Sequence, residues 1–325
     1  MKISDAKNLG RGDSFETVAI LKEVQSKTAK NGGEFLVADF GDKSGSITFM
    51  VFGDNAFFGV VKVSKAGDIF RISGRADFYN DKFSPRLEYV EKLDKDEAKP
   101  YAKDLCPVSD KDPEQMKAEL FALIDTISEE PLRNTVLSVF AEPVVAENFF
   151  TSTAAKSMHH AYIHGLLEHT LSCAKTANAL FDLYPFIDRN MALAGVILHD
   201  TGKVIEYAQD LTFNKTRSGL LEGHLVLSYR FVRKAAIKCG LDDDSRERLE
   251  HIMLSHHGEI EWGAVVLPAT PEAVFVSCVD YLDAKMGAVY GILKNEGKSE
   301  FSEPNFALSK ARLLTKKRDV KKADE

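Results

Sequence analysis

Histidine is the residue type whose placement in this chain carries the most chemical information. All nine histidines lie between His159 and His257, a window of about a third of the 325 residues. Imidazole is the commonest side-chain metal ligand, and it also titrates near neutral pH. The clustering therefore predicts a metal centre or an acid–base site in this part of the chain.

The most specific arrangement in this window is the adjacent pair His199 and Asp200. The pair follows the apolar segment 192–198 and precedes the residues TGK. An unpartnered imidazole and carboxylate at the end of a buried helix would be costly, so we expect a metal ion or strong polar partners there. The imidazole offers one ligand atom, whereas the carboxylate can bridge two ions.

Further candidate ligands lie on both sides of this pair. His169 shares a helical face with Leu166 and Cys173, which predicts that its side chain points inward. Downstream, four candidates follow apolar runs: His224, His256, His257 and Asp280. A lone inward histidine is more often a core residue with satisfied hydrogen bonds than a ligand, but here the same inward placement recurs several times.

Two of these assignments have alternatives. Asp280 could be a surface acid, and Asp283, three residues later, could serve in its place. His256 and His257 are adjacent, and neighbouring helical residues point about 100° apart, so the sequence leaves open whether one or both face inward. His251 falls on a different face from His256 and is expected to be a surface or structural residue.

The elements that must position these residues are predicted to be helices. Helical periodicity begins at Pro113 and continues through the histidine-bearing segments, so we expect an all-α domain over 113–308. Residues 96–112 are charged and contain two prolines, which predicts a linker. Residues 309–325 are basic and then polar, which predicts a disordered tail.

Residues 1–95 show a different pattern, with five short alternating runs bounded by turn residues. This pattern predicts a small antiparallel β-barrel of the OB-fold type. Cationic and aromatic residues that could share one face, and so hold phosphates and stack bases, are Arg71, Arg75, Phe78, Tyr79, Lys82 and Arg86. The alternative is that the aromatic rings fill the barrel core and the charges form its solvated outside.

Composition excludes several classes of protein. With 44% hydrophobic and 28% charged residues, 10 prolines and 21 glycines, the chain is not disordered or collagen-like. Its four cysteines form no CxxC pair, and its net charge of -7 argues against a generally basic nucleic-acid coat. Since it contains neither a long apolar stretch nor the apolar segment of a signal peptide, we expect a cytoplasmic protein without a membrane partner.

The order His169, His199-Asp200, Asp280 resembles the H…HD…D signature of the HD-domain phosphohydrolases. The added His224, His256 and His257 resemble the binuclear subset of that superfamily. With the stretch MHHAYIHGLLEHTLS and an OB-like domain in front, the chain resembles the YhaM family of bacterial 3′ to 5′ exoribonucleases over nearly its whole length. The resemblance implies a multidomain enzyme, an OB-fold followed by an all-α HD domain, that depends on Mn²⁺ or a similar ion.

On this resemblance we assign one ion to His169, His199, Asp200 and Asp280. The second is assigned to His224, His256 and His257, with Asp200 bridging. Imidazole and carboxylate ligands without thiolate suit Mn, Fe, Co, Ni or Zn, and two such ions can activate water for attack at phosphorus. Lys203 is expected to neutralise a phosphate oxygen or to orient a ligand. His160 and His164 are expected to contact the substrate, with a solvated helix start as the alternative.

The predicted function is metal-dependent hydrolysis of phosphodiester bonds from the 3′ end of single-stranded RNA, releasing nucleoside 5′-monophosphates. DNA is an alternative substrate, and self-association into a homo-oligomer is compatible with these features. One rival hypothesis is an HD hydrolase of a small nucleotide or cyclic nucleotide, and another is a non-catalytic nucleic-acid-binding protein. The barrel disfavours the first rival, and the full set of expected ligands disfavours the second. The sequence contains no GxSxG, Walker A or GxGxxG motif.

Overall fold

The structure is a computed structural model that describes residues 1–29, 32–80, 82–156, 160–209, 212–295 and 300–316. These residues form two compact units, one of Met1–Val108 and one that begins at Ser109 and includes most of the chain after it. The first unit is built on an antiparallel sheet and the second on helices. The predicted fold class, an OB-like sheet domain followed by an all-α domain, is confirmed.

The first unit contains a five-stranded antiparallel sheet with the strand order β3-β2-β1-β4-β7. Its strands and short helices are α1 (Ile3–Ala6), β1 (Ser14–Thr28), β2 (Glu34–Asp42), β3 (Gly45–Phe52), α2 (Phe58–Val63), β4 (Ile69–Arg75), β5 (Phe78–Tyr79), β6 (Lys82–Phe83) and β7 (Arg86–Lys92). The outer strands β3 and β7 contact each other, and α2 lies between β3 and β4 in the chain. This arrangement is that of an OB-like barrel.

Alternation along the strands explains the core of this unit. In β3, Ile47, Phe49 and Val51 are buried while the residues between them are exposed or half-buried. The Phe40 ring packs edge to face against Phe49 and Phe70, with ring centroids 5.9 and 5.6 Å apart. The sheet thus has one apolar face turned inward, as a closed or nearly closed sheet requires.

The second unit consists of helices that follow the short helices α3 (Lys95–Ala98) and α4 (Ala102–Leu105) of the predicted linker. They are α5 (Pro113–Asp125), α6 (Glu130–Phe140), α7 (Pro143–Asn148), α8 (Gly165–Leu180), α9 (Arg189–Leu198), α10 (Lys203–Glu206), α11 (Arg217–Leu221), α12 (Gly223–Cys239), α13 (Asp243–Ser255) and α14 (Pro271–Asn295). Short 3-10 helices span Phe181–Leu183, Ile260–Trp262 and Phe306–Leu308.

Side-chain caps set the starts of several of these helices. Asp112 accepts hydrogen bonds from the backbone N–H groups of Glu114 and Gln115 at the start of α5. Asp188 caps α9 and Asp242 caps α13 in the same manner. Each cap satisfies backbone donors that the first turn leaves without an intrahelical partner. Local contacts therefore set the starts of α9, which precedes His199, and of α13, which precedes His256.

A continuous apolar core joins α5, α6, α8, α9, α12, α13 and α14. Helix α9 is buried from Met191 to Leu198 and lies at its centre, in contact with α8, α13 and α14. Within the described part of the chain, no helix is both long and apolar enough to cross a bilayer. Of the predicted tail, residues 309–316 are described, and Leu313 accepts a backbone hydrogen bond from Ser302 at 2.7 Å; residues 317–325 lie outside the described residues.

Candidate metal centre

Helix α8 presents His169 to the interior. The histidine is fully buried, together with Leu166 and Cys173 on the same face. Its Nε2 atom lies 3.2 Å from Nε2 of His199 and 3.3 Å from Oδ2 of Asp200. The inward placement predicted from helical spacing thus brings His169 to the end of α9.

Helix α9 ends directly before His199 and Asp200, both of which are buried. The chain then turns through Gly202, and a Cβ atom there would lie 2.3 Å from the His224 carbonyl oxygen and 2.6 Å from the Ser228 nitrogen. Only glycine permits so close an approach of two backbones. The turn after Asp200 can therefore pack against α12, which carries His224.

Five imidazole rings converge on this point, and each turns its Nδ1 atom toward an oxygen acceptor. The pairs are His169 with Asp283 Oδ2 at 2.7 Å, His199 with the Val196 carbonyl at 2.7 Å, His224 with Glu206 Oε2 at 2.8 Å, His256 with the Met253 carbonyl at 2.9 Å and His257 with the Trp262 carbonyl at 2.9 Å. A backbone carbonyl can only accept a hydrogen bond, so Nδ1 carries the proton in His199, His256 and His257. In these three rings the Nε2 lone pair is left to face the centre, as in metal-ligating histidines.

The Nε2 atoms lie close together in pairs. His169 and His199 are 3.2 Å apart, and His224 and His257 are 3.1 Å apart. Two neutral imidazoles that both carry Nδ1–H would bring lone pair against lone pair at this distance. A cation bound by both nitrogen atoms removes that repulsion, which makes the arrangement typical of metal ligands rather than of core histidines.

The Asp200 carboxylate divides its two oxygens between two groups of histidines. Oδ2 lies 3.3 Å from Nε2 of both His169 and His199. Oδ1 lies 3.4 Å from Nε2 of His224 and 3.8 Å from Nε2 of His256, and it has no hydrogen-bond partner among the described residues. A buried carboxylate oxygen that faces unprotonated nitrogen atoms fits a cation. The donor set thus fits two divalent ions that share Asp200.

Asp280 and Asp283 occupy different positions relative to His169. Asp280 Oδ1 lies 3.2 Å from His169 Nε2, on the side of the centre. Asp283 Oδ2 accepts from His169 Nδ1 on the opposite edge of the ring and lies 2.9 Å from His160 Nε2. Asp280 therefore lies on the Nε2 side of His169, where the other candidate ligands converge, whereas Asp283 lies on the Nδ1 side.

The electrostatics of the centre favour ionised carboxylates. Burial alone would raise the pKa of Asp200, but Lys203 and the histidines around it hold that pKa well below its ordinary value. Burial is likewise outweighed at Asp280, whose pKa is lowered by His169 and His199. Lys203 Nζ donates to Asp200 Oδ2 at 2.5 Å, and the two acids raise the lysine pKa despite its burial. Burial would lower the pKa of His169, but Cys173 and the nearby carboxylates raise it well above its ordinary value. The acids of the centre therefore favour a positive charge at this position.

Two histidines of the second group, His256 and His257, are held in the neutral form. Burial, His199 and His257 together lower the pKa of His256 well below its ordinary value. Burial and His224 lower the pKa of His257 as well. Neutral imidazole is the form that binds metal ions.

Glu206 was not predicted as part of the site. It is buried, with Oε2 2.8 Å from His224 Nδ1 and Oε1 accepting from Lys215 at 2.8 Å. Burial opposes ionisation, but His224 and Lys215 lower the pKa of Glu206 to about 2. Its only sequence signal is an acid directly after the apolar residues Val204 and Ile205.

The remaining predicted residues of this unit have other environments. His160, expected to contact substrate, is buried, with Nδ1 2.8 Å from the Tyr162 hydroxyl and Nε2 on Asp283. Both of its ring nitrogens are therefore engaged within the protein. His164 precedes α8 and places Nδ1 2.6 Å from the Phe150 carbonyl. His251 accepts from the Ala269 N–H at 2.8 Å, so it has a structural partner.

The barrel residues that were predicted to contact a nucleic-acid strand differ in their exposure and in their ion pairs. The three arginines form ion pairs, Arg71 with Glu91 at 2.6 Å, Arg75 with Glu88 at 2.7 Å and Arg86 with Asp77 at 3.1 Å. Phe78 is half-buried against Phe83, whereas Tyr79 is 70% exposed and Lys82 is also exposed. The first unit also contains a stacked pair that was not predicted, Phe35 and Phe52, of which Phe52 is half exposed.

Comparison with known proteins assigns this fold and centre to a class. Residues 166–285 match the family model of the HD domain, a range that includes every residue of the centre. The HD domain implies dependence on a divalent metal, and the convergent histidines and carboxylates provide suitable ligands.

The similarity to particular proteins extends over nearly the whole chain. A protein of Listeria welshimeri named 3′-5′ exoribonuclease YhaM is 31% identical over 302 residues, which cover 91% of this chain and 93% of the relative. Proteins of the same name from Listeria monocytogenes and a Geobacillus species are 30% and 29% identical, over 91% of this chain and 93% and 90% of their own lengths. The chain belongs to the YhaM family of 3′-5′ exoribonucleases.

Proposed function

We propose that the protein is a metal-dependent 3′ to 5′ exonuclease that hydrolyses single-stranded RNA to nucleoside 5′-monophosphates. The observation that carries the proposal is the Asp200 carboxylate, whose two oxygens face separate groups of histidines. The curated relatives named as 3′-5′ exoribonucleases supply the direction and the substrate. Single-stranded DNA is a second substrate under the same proposal.

The residues that would hold the ions follow from the geometry. His169, His199, Asp280 and Asp200 Oδ2 would bind one ion, and His224, His256, His257 and Asp200 Oδ1 the other. Bound divalent ions would lower the pKa of a water molecule and neutralise the charge that develops at phosphorus. Mixed nitrogen and oxygen ligands without thiolate favour Mn²⁺ or a similar transition metal over Ca²⁺.

Protein groups around the centre position and charge its ligands. Lys203 keeps Asp200 ionised by a hydrogen bond to Oδ2, and its ammonium group could also meet a phosphate oxygen at the centre. Asp283 and Glu206 each hold one imidazole with Nε2 facing inward. Cys173 lies 3.8 Å from His169, and burial raises the pKa of this thiol to about 12, which disfavours the thiolate form that a nucleophile needs.

The sheet unit is proposed to guide the strand. We assign residues 1–95 to an OB-fold nucleic-acid-binding domain, 96–112 to a linker, 113–308 to the HD domain and 309–325 to a tail. In the OB domain, Tyr79 and Lys82 are exposed and form no ion pair with other described residues, so both are available to a strand. The arginines predicted alongside them would first have to exchange their carboxylate partners for phosphate.

The test is cleavage of a 5′-labelled single-stranded RNA in Mn²⁺, with and without EDTA. We expect a ladder that shortens from the 3′ end in Mn²⁺ and no cleavage in EDTA. The double variant His199→Ala, Asp200→Ala should lose this activity, while His251→Ala, a histidine outside the centre, should retain it. Cleavage by the double variant at the parent rate would refute the proposal. Intact RNA with metal bound to the parent protein would favour a small nucleotide as substrate instead.

A further inference from the structure

Two exposed aromatic rings form a stack beside the metal centre. Trp262 and Tyr281 are nearly parallel, at 8°, with ring centroids 5.2 Å apart. Trp262 is 55% exposed and Tyr281 is 45% exposed. We call these two residues the aromatic platform. Aromatic side chains of this size are usually buried for their apolar area, so an ordered, exposed pair indicates a binding surface.

Both rings are attached to residues adjoining the centre. The Trp262 carbonyl accepts from His257 Nδ1 at 2.9 Å, so a single imidazole ring separates it from the Nε2 atom that faces His224. Tyr281 follows Asp280 directly in α14. The backbone that carries the platform is therefore continuous with residues of the site where the scissile phosphate is proposed to lie.

The platform is also held in place from its other end. Lys285 Nζ lies 4.9 Å from the centroid of the Tyr281 ring and donates to the Ala307 carbonyl. A cation over a tyrosine ring favours a fixed ring orientation. The indole of Trp262 is the more exposed member of the stack and the one available to a further ring.

The charges around Trp262 favour a neutral ring over a phosphate as the ligand. Glu259, directly before the short helix Ile260–Trp262, and Glu261, within that helix, are both exposed, and Ile260 between them is 52% exposed. This loop would repel a phosphate group. An uncharged, flat ligand can stack on the indole without approaching either carboxylate.

We propose that the aromatic platform stacks against a nucleobase that adjoins the scissile phosphodiester. This inference rests on the proposed function and names a substrate contact within it. An enzyme that degrades strands of any sequence needs a contact that does not depend on the identity of the base, and stacking has that property because every base has a π-face. Trp262 would then hold the end of the strand while the next bond enters the centre.

The test uses Trp262 as its own reporter, since it is the only tryptophan in the chain. The full-length protein is titrated in EDTA, so that no turnover occurs, with a single-stranded RNA hexamer. We expect quenching of tryptophan fluorescence by the intact hexamer. Two further hexamers are abasic at the 3′-terminal or at the penultimate nucleotide, and the one that lacks the stacked base should not quench. A hexamer that is abasic at the 5′ end should quench as the intact hexamer does. Equal quenching by all these hexamers, or none, would overturn the proposal.

Kinetics with short RNAs provide a second readout. Trp262→Ala should raise KM roughly 5- to 100-fold, which corresponds to one stacked base, with little change in kcat. Metal content should stay at the parent level, because the Trp262 contact with His257 is through the backbone carbonyl. Trp262→Phe should recover most of the loss. Phe186→Ala, which removes another exposed aromatic ring of the helical unit, serves as the matched control.

The outcomes separate this proposal from the proposed function. If the parent protein cleaves RNA and Trp262→Ala does so with an unchanged KM, the platform is refuted and the exonuclease proposal stands. If the parent protein does not cleave RNA, the proposed function fails, whereas the fluorescence titration needs no cleavage and still decides the platform. An unchanged KM together with dissociation of an oligomer by Trp262→Ala would identify the platform as a subunit contact, and the proposal would be overturned.

Discussion

At the scale of single residues, Asp200 is proposed to bind both ions, since its two oxygens face different groups of histidines. Its Oδ2 faces His169 and His199, while its Oδ1 faces His224 and His256. Each histidine serves only one group, so the loss of one histidine would weaken one ion. The loss of Asp200 would weaken both ions at once.

We therefore expect Asp200→Asn to reduce both metal content and RNA hydrolysis, with activity lower by at least roughly 1,000-fold because metal catalysis supplies several kcal/mol. Metal bound after dialysis, measured by mass spectrometry against protein concentration, should fall below one ion per chain. His251→Ala is the control. Retention of both ions by the Asn variant would contradict a bridging role for this residue.

Asp283 and Glu206 make a paired prediction, because each orients a histidine of a different group. Removing such a partner typically costs 10- to 100-fold in metal affinity. Asp283→Asn should lower the affinity for the ion near His169 by about this factor. Glu206→Gln should lower the affinity for the ion near His224 by a similar factor. Both binding steps are measured by titrating the metal-free protein with Mn²⁺ while electron paramagnetic resonance monitors the free ion. An equal effect of the two variants on the same step would contradict the assignment.

The ligand candidates of this centre could be predicted from sequence because they lie at helix ends and on inward helical faces, where spacing alone indicates orientation. The residues that orient these ligands could not be predicted from the sequence. Glu206 meets His224 only because α10 packs on α12, and the Trp262 carbonyl meets His257 only through the fold of a loop. The contact of His160 with Asp283 could not be predicted either, because the two residues are 123 positions apart in the sequence.

At the scale of elements, the close contact between the turn after Asp200 and α12 determines whether the two groups of histidines can share one carboxylate. A Cβ atom on Gly202 would meet backbone atoms of α12 at 2.3 and 2.6 Å, and backbone cannot move aside as a flexible side chain can. We expect Gly202→Ala to reduce the free energy of unfolding by about 1–3 kcal/mol, the usual range for overpacking.

The same substitution should weaken the ion near His224 more than the ion near His169, because α12 carries His224. Thermal unfolding and Mn²⁺ titration measure the two effects. Gly291→Ala in α14 is the matched control, since a Cβ atom there meets nothing within 4 Å. At that position alanine should be neutral or slightly stabilising through helix propensity. Equal behaviour of the two variants would refute the packing argument.

Element type was predictable in both units because alternation and helical periodicity differ clearly along the chain. The side-chain partners of residues across neighbouring strands were not predictable. Arg71 and Glu91 are opposite each other in the β4–β7 register, and their ion pair depends on that register. Three of the four cations that the sequence suggested for strand binding thus have carboxylate partners within the first unit.

At the scale of the whole molecule, we propose that the sheet unit binds the strand and the helical unit hydrolyses it. Long RNA would then contact both units, whereas a very short RNA would contact only the helical one. Stacking of one base on an aromatic ring is worth about 1–3 kcal/mol, and Tyr79 is the most exposed aromatic residue among those predicted for the sheet unit.

We expect Tyr79→Ala in the full chain to weaken binding of a 20-nucleotide RNA by roughly 5- to 100-fold. Cleavage of a trinucleotide should be unaffected, because a strand that short ends at the metal centre. Fluorescence anisotropy of labelled RNA in EDTA gives the affinity, and product formation in Mn²⁺ gives the rate. Val63→Ala, which shortens a residue 79% exposed in the same unit, is the control. If both RNAs respond equally to Tyr79→Ala, the sheet unit supports the fold of the enzyme and does not guide its strand.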